Sequence, residues 1–157
     1  MNTLIDAVRG QARDKPDALA YWTPTRSWSF AQLEAAANRA AQGLRALGIG
    51  EGDRVACLTK HTAECVVLTL AACKVGAVCM PVNWRLAPPE IEYIVNHGRA
   101  RLMMSDAAFL AAMRAVRAPA LERILCTERT LGDVQGFGEW LGEFAAIDPD
   151  RPAATAP

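Results

Sequence analysis

The sequence predicts an α/β fold with a mostly parallel sheet flanked by helices. Three observations predict it. Residues 54–59, with the continuous apolar run Val-Ala-Cys-Leu, and the apolar residues 77–82 have the pattern of buried strands. The segment between them, AECVVLTLAACKV, is apolar nearly all round, which implies a buried helix. Strand and helix patterns then alternate at short spacing through residues 50–106, as βαβ units do.

Each element has a local reason. Residues 3–11 form a short amphipathic helix with Leu4, Ile5 and Val8 on one face, and Pro16 closes that region. Residues 18–22 and 26–28 read as two strands of a hairpin. Ser29 is an N-cap, and Gln32 three residues later completes a capping box. The alanine-rich helix that follows carries Leu33, Ala37, Ala40, Leu44 and Leu47 on its buried face, and Gly48 stands at the left-handed cap position. Glu51-Gly52-Asp53 is a turn into the first core strand.

Thr62 caps the apolar helix, and Gly76 ends it before the next buried strand. Pro88, Pro89 and Glu90 open a helix with Ile91, Ile94 and Val95 inward and Gly98 at its end. Residues 101–105 form a third strand. Asp106 caps a helix reaching residue 116, and Arg123–Cys126 is a fourth strand. The segment 148–157, with three prolines, reads as a linker-like tail after a domain at 1–147.

A chain of 157 residues supports one domain, and a fold of that size buries about 70% of the unfolded chain's surface. Hydrophobic residues make up 52% and charged residues 22%, with a formal net charge of +0 at pH 7. That balance gives no electrostatic footprint for nucleic acid or an anionic membrane. The most apolar region, residues 65–82, is interrupted by Lys74, Gly76 and Pro81, and the N-terminus lacks the apolar core of a signal peptide. The expected location is the cytoplasm. The five cysteines contain no C-x-x-C pair and are expected as reduced, buried thiols acting as small hydrophobes, with no metal site. An apolar helix needing cover on every side, in a chain of near-zero charge, also suggests self-association.

The run LGIGEGD at residues 47–53 is not a dinucleotide fingerprint. Its glycines close a helix and lead into a strand, whereas that fingerprint follows a strand and opens a helix. His61 is expected as a solvated loop residue, and His97 as a structural residue near a helix end. Trp84 is expected to cover the edge of the core. Asn83-Trp84-Arg85-Leu86 follows a strand's carboxyl end, where open α/β sheets hold ligands.

The ordered combination SWSFAQL, GDRVA, a Glu opening an apolar helix, GAVCMPVNWRL and EIEYI resembles the AMP-forming acyl-CoA synthetases of the adenylate-forming family. The resemblance covers residues 4–126 and implies the N-terminal subdomain of that fold. Lys60-His61 departs from it, standing where relatives carry Pro-Asn.

The family joins a carboxylic acid, here expected to be fatty or aryl, to ATP and passes the acyl group to coenzyme A. ATP, Mg2+ and coenzyme A are its implied cofactors. In some relatives an arginine matching Arg85 approaches a phosphate of coenzyme A, and a guanidinium suits that anion. The alternative role for Arg85 is holding its loop through carbonyl or carboxylate contacts. The family's phosphate-gripping loop, acyl pocket and catalytic lysine do not occur within these residues. No residue is therefore expected to be catalytic, and the chain alone is expected to be inactive. Two other readings are an amino-acid-activating segment of a peptide synthetase and a non-catalytic module keeping this fold. The first usually has Asp-Pro where this chain has Asn83-Trp84.

Overall fold

The structure is a computed structural model and describes residues 3–24 and 26–149. Its centre is a five-stranded parallel sheet. The strands are β3 (Arg54–Leu58), β4 (Val78–Pro81), β5 (Ala100–Ser105), β6 (Arg123–Cys126) and β7 (Gln135–Gly136), in the order β4-β3-β5-β6-β7. A separate antiparallel hairpin joins β1 (Leu19–Thr23) to β2 (Arg26–Ser29).

Alternating side chains divide the core in two, because successive strand residues point to opposite faces. Val55, Cys57, Leu102 and Met104 pack with α1 (Leu4–Asp14), α2 (Phe30–Ala46), α3 (Ala63–Val75) and α6 (Phe137–Gly142). Ala56, Leu58 and Met103, with Ala100 before the register shift at the start of β5, pack with α4 (Pro88–Gly98) and α5 (Ala107–Met113). The expected α/β class is the observed one, with helices on both faces.

The chain leaves β3 through α3 to β4 on one side, then returns through α4 to β5 on the other. Strand order therefore reverses at β3. The carboxyl ends of β3 and β5 flank a switch point, the place where doubly wound sheets bind ligands.

The helix starts follow the sequence signals. Thr3 and Ser29 each make a full capping box, and the Thr62 hydroxyl accepts from the Cys65 N–H. Gly48 and Gly76 adopt φ of 67° and 78°, the left-handed region that any other residue enters at a cost.

Gly98 ends α4 as expected, and Arg99 takes the left-handed turn after it, at φ 48°. A Cβ on Gly98 would lie 2.5 Å from Met80 Sδ, so the flexible Met80 side chain would have to shift. Several expectations are corrected. The strand expected as buried at 77–82 is the sheet's edge, and Val78 is 52% exposed. Leu4 lies outside the buried face of α1, which Ile5 and Val8 form. Leu47 is half-buried as the last residue of the α2 cap. Helix α5 stops at Met113, not 116. Strand β7 and α6 had no counterpart in the sequence reading.

Helix α3 is not apolar throughout its buried face. Lys74 is fully buried, with Nζ 2.7 Å from Glu34 Oε1 and 3.5 Å from Asp148 Oδ1. Arg9 makes a two-pronged contact with the same Asp148 carboxylate, at 2.6 Å for each bond. This cluster ties α1, α2 and α3 to the segment after α6. Asp148, the first residue of the expected linker, is thus packed, and Pro149 is buried; residues 150–157 lie outside the described residues.

Candidate functional site

The switch point is organised by one buried carboxylate. Asp106 follows β5, and its Oδ2 accepts from the Lys60 backbone N–H at 2.9 Å. Its Oδ1 accepts from the Thr127 hydroxyl at 2.9 Å. The loops after β3, β5 and β6 therefore converge on it. The sequence reading gave Asp106 a helix-capping role; its side chain makes no cap bond, and Glu128 Oε2 instead accepts from the Ala107 N–H at 2.8 Å. Burial opposes ionisation of Glu128, but hydrogen bonds from Thr127, Ala107 and Cys126 outweigh it and hold this carboxyl below its ordinary range.

Beside this junction stands an aromatic and cationic group. Trp84 and Phe109 stack with centroids 5.9 Å apart and planes 21° from parallel. The Lys60 ammonium lies 4.9 Å from the Trp84 centroid, and the Arg85 guanidinium lies 4.5 Å from it. Trp84 packs against the α4–α5 core, as expected of a residue covering its edge. Loop 83–86 is shaped by Asn83, whose Oδ1 accepts from the Arg85 N–H at 3.0 Å.

Arg85 is exposed. Among the described residues, no carboxylate or carbonyl accepts a hydrogen bond from its guanidinium. Stacking on Trp84 leaves the guanidinium N–H donors open to an anion. Neither histidine joins Arg85 in a catalytic pair. His61 is exposed at φ 61°, and its carbonyl accepts from the Tyr21 hydroxyl at 3.0 Å. His97 stacks on Tyr93 at 5.6 Å on the outer side of α4.

Two clefts open at this end of the sheet. One, of about 490 Å³, runs between the hairpin, α2 and α6, with Arg26, Trp28, Arg39 and Glu128 on its walls. The Trp28 indole N–H is buried there and has no hydrogen-bond partner among the described residues. The other, of about 370 Å³, is lined by Thr59, His61, Cys65 and loop 81–85. Among the described residues, no group of three or more His, Cys, Asp or Glu is placed to hold a metal ion. The acidic groups at the switch point are engaged by protein donors, so no chemical step through Mg2+ or ATP is assigned to these residues.

The AMP-binding enzyme family matches residues 8–154. A long-chain fatty acid–CoA ligase of Mycobacterium tuberculosis, FadD13, is 38% identical over 115 residues, which are 72% of this chain and 23% of the relative. A fatty acid–[acyl-carrier-protein] ligase of Streptomyces coeruleorubidus, ScoC, is 30% identical over 149 residues, 95% of this chain and 28% of the relative. The solved N-terminal domain of FACL13 from Mycobacterium tuberculosis superposes with a TM-score of 0.85 at 30% identity, covering 96% of this chain and 38% of that one. This chain thus spans about a quarter of the length of these two curated relatives. The match in sequence order, the doubly wound parallel sheet and its fit to that solved domain agree: the chain belongs to the AMP-binding enzyme family and has the fold of its N-terminal domain.

Proposed function

We propose that this chain is the N-terminal section of a cytoplasmic acid–thiol ligase. The complete enzyme would activate a fatty or aryl carboxylic acid with ATP to an acyl-adenylate, then transfer the acyl group to coenzyme A. The observation that carries the reading is Arg85, an exposed guanidinium without a carboxylate partner among the described residues, at the carboxyl end of a parallel sheet. In this reading Arg85 contacts a phosphate of coenzyme A. ATP and Mg2+ would be held by residues of the complete enzyme outside this sequence, and the chain alone would be inactive.

The test joins this segment to the downstream part of a relative. Acid-dependent pyrophosphate exchange and thioester formation are then assayed with a panel of fatty and aromatic acids. The reading expects both half-reactions from the joined enzyme and no exchange from the 157-residue chain. Exchange by the isolated chain would remove the claim that activation needs residues elsewhere. A joined enzyme that folds and forms adenylate but uses only a carrier protein as acceptor would replace coenzyme A in the reading.

The same reading includes self-association of the isolated chain. Trp22 and Val78 are 66% and 52% exposed, and β4 leaves one strand edge open. Light scattering should show a mass above the monomer that rises with concentration; a monomer at every concentration would contradict it.

A further inference from the structure

Two cations share one aromatic platform beside the smaller cleft. The platform is the stacked pair Trp84 and Phe109, and both rings are fixed from behind by the α4–α5 core. Lys60 Nζ lies 4.9 Å from the Trp84 centroid and 5.7 Å from that of Phe109. The Arg85 guanidinium lies 4.5 Å from the Trp84 centroid. Both charges are thus measured to one ring centre, and they lie no further apart than these two distances laid end to end. Both side chains are exposed, and among the described residues neither has a carboxylate within ion-pair distance. Asp106 engages only the Lys60 backbone N–H. The arginines of the larger cleft are the contrast: Glu64 lies 3.8 Å from Arg26, and the Phe144 carbonyl accepts from Arg39.

We propose that Lys60 is a second phosphate contact of the acyl-acceptor site, paired with Arg85, and that the pair selects an acceptor with phosphates on both sides of a ribose. That chemistry belongs to the nucleotide end of coenzyme A, with its 3′-phosphate and 5′-diphosphate. Carrier-bound phosphopantetheine, with one phosphate and no ribose, would engage a single cation. The inference rests on the coenzyme A reading of Arg85. It extends that reading to a residue where the chain departs from its relatives' Pro-Asn, so the second cation is this chain's own.

The platform suits this role physically. An aromatic face attracts a cation through its quadrupole but supplies no net negative charge. Lys60 and Arg85 are therefore held in place while their charges stay available. A carboxylate would also hold them, but that ion pair would have to break before a phosphate could bind. Holding two long side chains in advance lowers the entropy lost when they engage a ligand. The root of Lys60 is fixed as well, by the 2.9 Å bond from its backbone N–H to Asp106. The two heads differ usefully: the Arg85 fork matches two oxygens of one phosphate, and the Lys60 ammonium acts as a point charge on another. The cleft of about 370 Å³, with Arg85 on its wall, leaves room for the rest of the ligand. Its wall includes Cys65, which with Cys73 and Cys79 is only half-buried, against the expectation for the five thiols.

The test uses the 157-residue chain in magnesium-free buffer. It follows the Trp84 indole N–H resonance, assigned with Trp84→Phe, during titration with adenosine 3′,5′-bisphosphate, ADP, AMP and phosphopantetheine. The bisphosphate should bind about three- to fivefold more tightly than ADP, which carries its two phosphates in one chain, as one further exposed ion pair gives. AMP and phosphopantetheine should bind more weakly still. Lys60→Gln should weaken the bisphosphate by the same about three- to fivefold and abolish its preference over ADP. Arg85→Ala should weaken every ligand. Equal affinity for the bisphosphate and ADP in the wild type, unchanged affinity in Lys60→Gln, or no shift with any nucleotide would overturn the proposal. If Arg85→Ala still weakens binding while Lys60→Gln does not, the coenzyme A reading of Arg85 survives and only the second contact fails. Phosphopantetheine binding as tightly as the bisphosphate would overturn the selection and point to a carrier protein. The wild-type comparison needs no variant.

Discussion

The Lys60 backbone N–H donates to Asp106 Oδ2 at 2.9 Å, so the loops after two parallel strands close on one buried side chain. The second oxygen of Asp106 holds Thr127, which adds the loop after β6. Asp106→Ala strips the part-buried Lys60 N–H of its acceptor and leaves the Thr127 hydroxyl with Glu128 alone. It should destabilise the chain by about 1–3 kcal/mol in urea unfolding. Asp106→Asn keeps an acceptor and should cost less; equal losses in the two variants would contradict this account of the junction.

Lys74 permits a sharper comparison. Its ammonium is fully buried against Glu34. Lys74→Ala leaves Glu34 with only the more distant Arg9, at 4.0 Å, and opens a cavity, so a loss of about 3–5 kcal/mol is expected. Changing Lys74 to Met while Glu34 becomes Gln removes both charges and keeps most of the volume. That double variant should lie well above Lys74→Ala in stability. If it unfolds as easily, packing around the aliphatic stem matters more than the stranded charge.

Acid should loosen the same cluster. Burial opposes ionisation of Asp148, but the Arg9 hydrogen bonds and the Lys74 charge outweigh it and lower its carboxyl from the ordinary range. A carboxyl depressed in the folded state contributes stability that is complete above its unfolded value of about 4 and is lost as pH falls through the folded value. Wild-type stability should therefore fall below about pH 4 more steeply than that of Asp148→Asn. Parallel pH profiles would show that Asp148 contributes nothing to the slope.

A Cβ on Gly98 would lie 2.5 Å from the Met80 sulfur, near the end of a flexible side chain that can shift, so Gly98→Ala should cost no more than about 1 kcal/mol, offset by alanine's better helix propensity. Met80→Ala in the same chain should return part of that loss. Additive effects in the double variant would place the strain elsewhere.

Much of the frame was legible in the sequence. Capping boxes at Ser29 and caps such as Thr62 are local signals, and the apolar runs of β3 and β5 carry their own burial. What escaped is set by distant partners. Val-Cys-Met-Pro reads as a core strand, yet β4 is an edge because nothing described pairs with its far side. Helix α6 was hidden by Gly138 and Gly142 around Trp140, which depress helix propensity in a segment held by packing on α2. Lys74 reads as a break in an apolar run, since its partners lie 40 and 74 residues away. Of the site, Arg85 and Trp84 could be placed from their position after a strand. The role of Asp106 required the sheet that brings its partners together.

The central claim is that Arg85 serves the acyl acceptor and not acid activation. It is tested most directly in the joined enzyme, by comparing wild type with Arg85→Ala in pyrophosphate exchange and in thioester formation at varied coenzyme A. Loss of one charge-assisted contact should weaken use of coenzyme A by about 1.5–3 kcal/mol and leave exchange nearly unchanged. Equal damage to both half-reactions, or damage to neither, would contradict the claim.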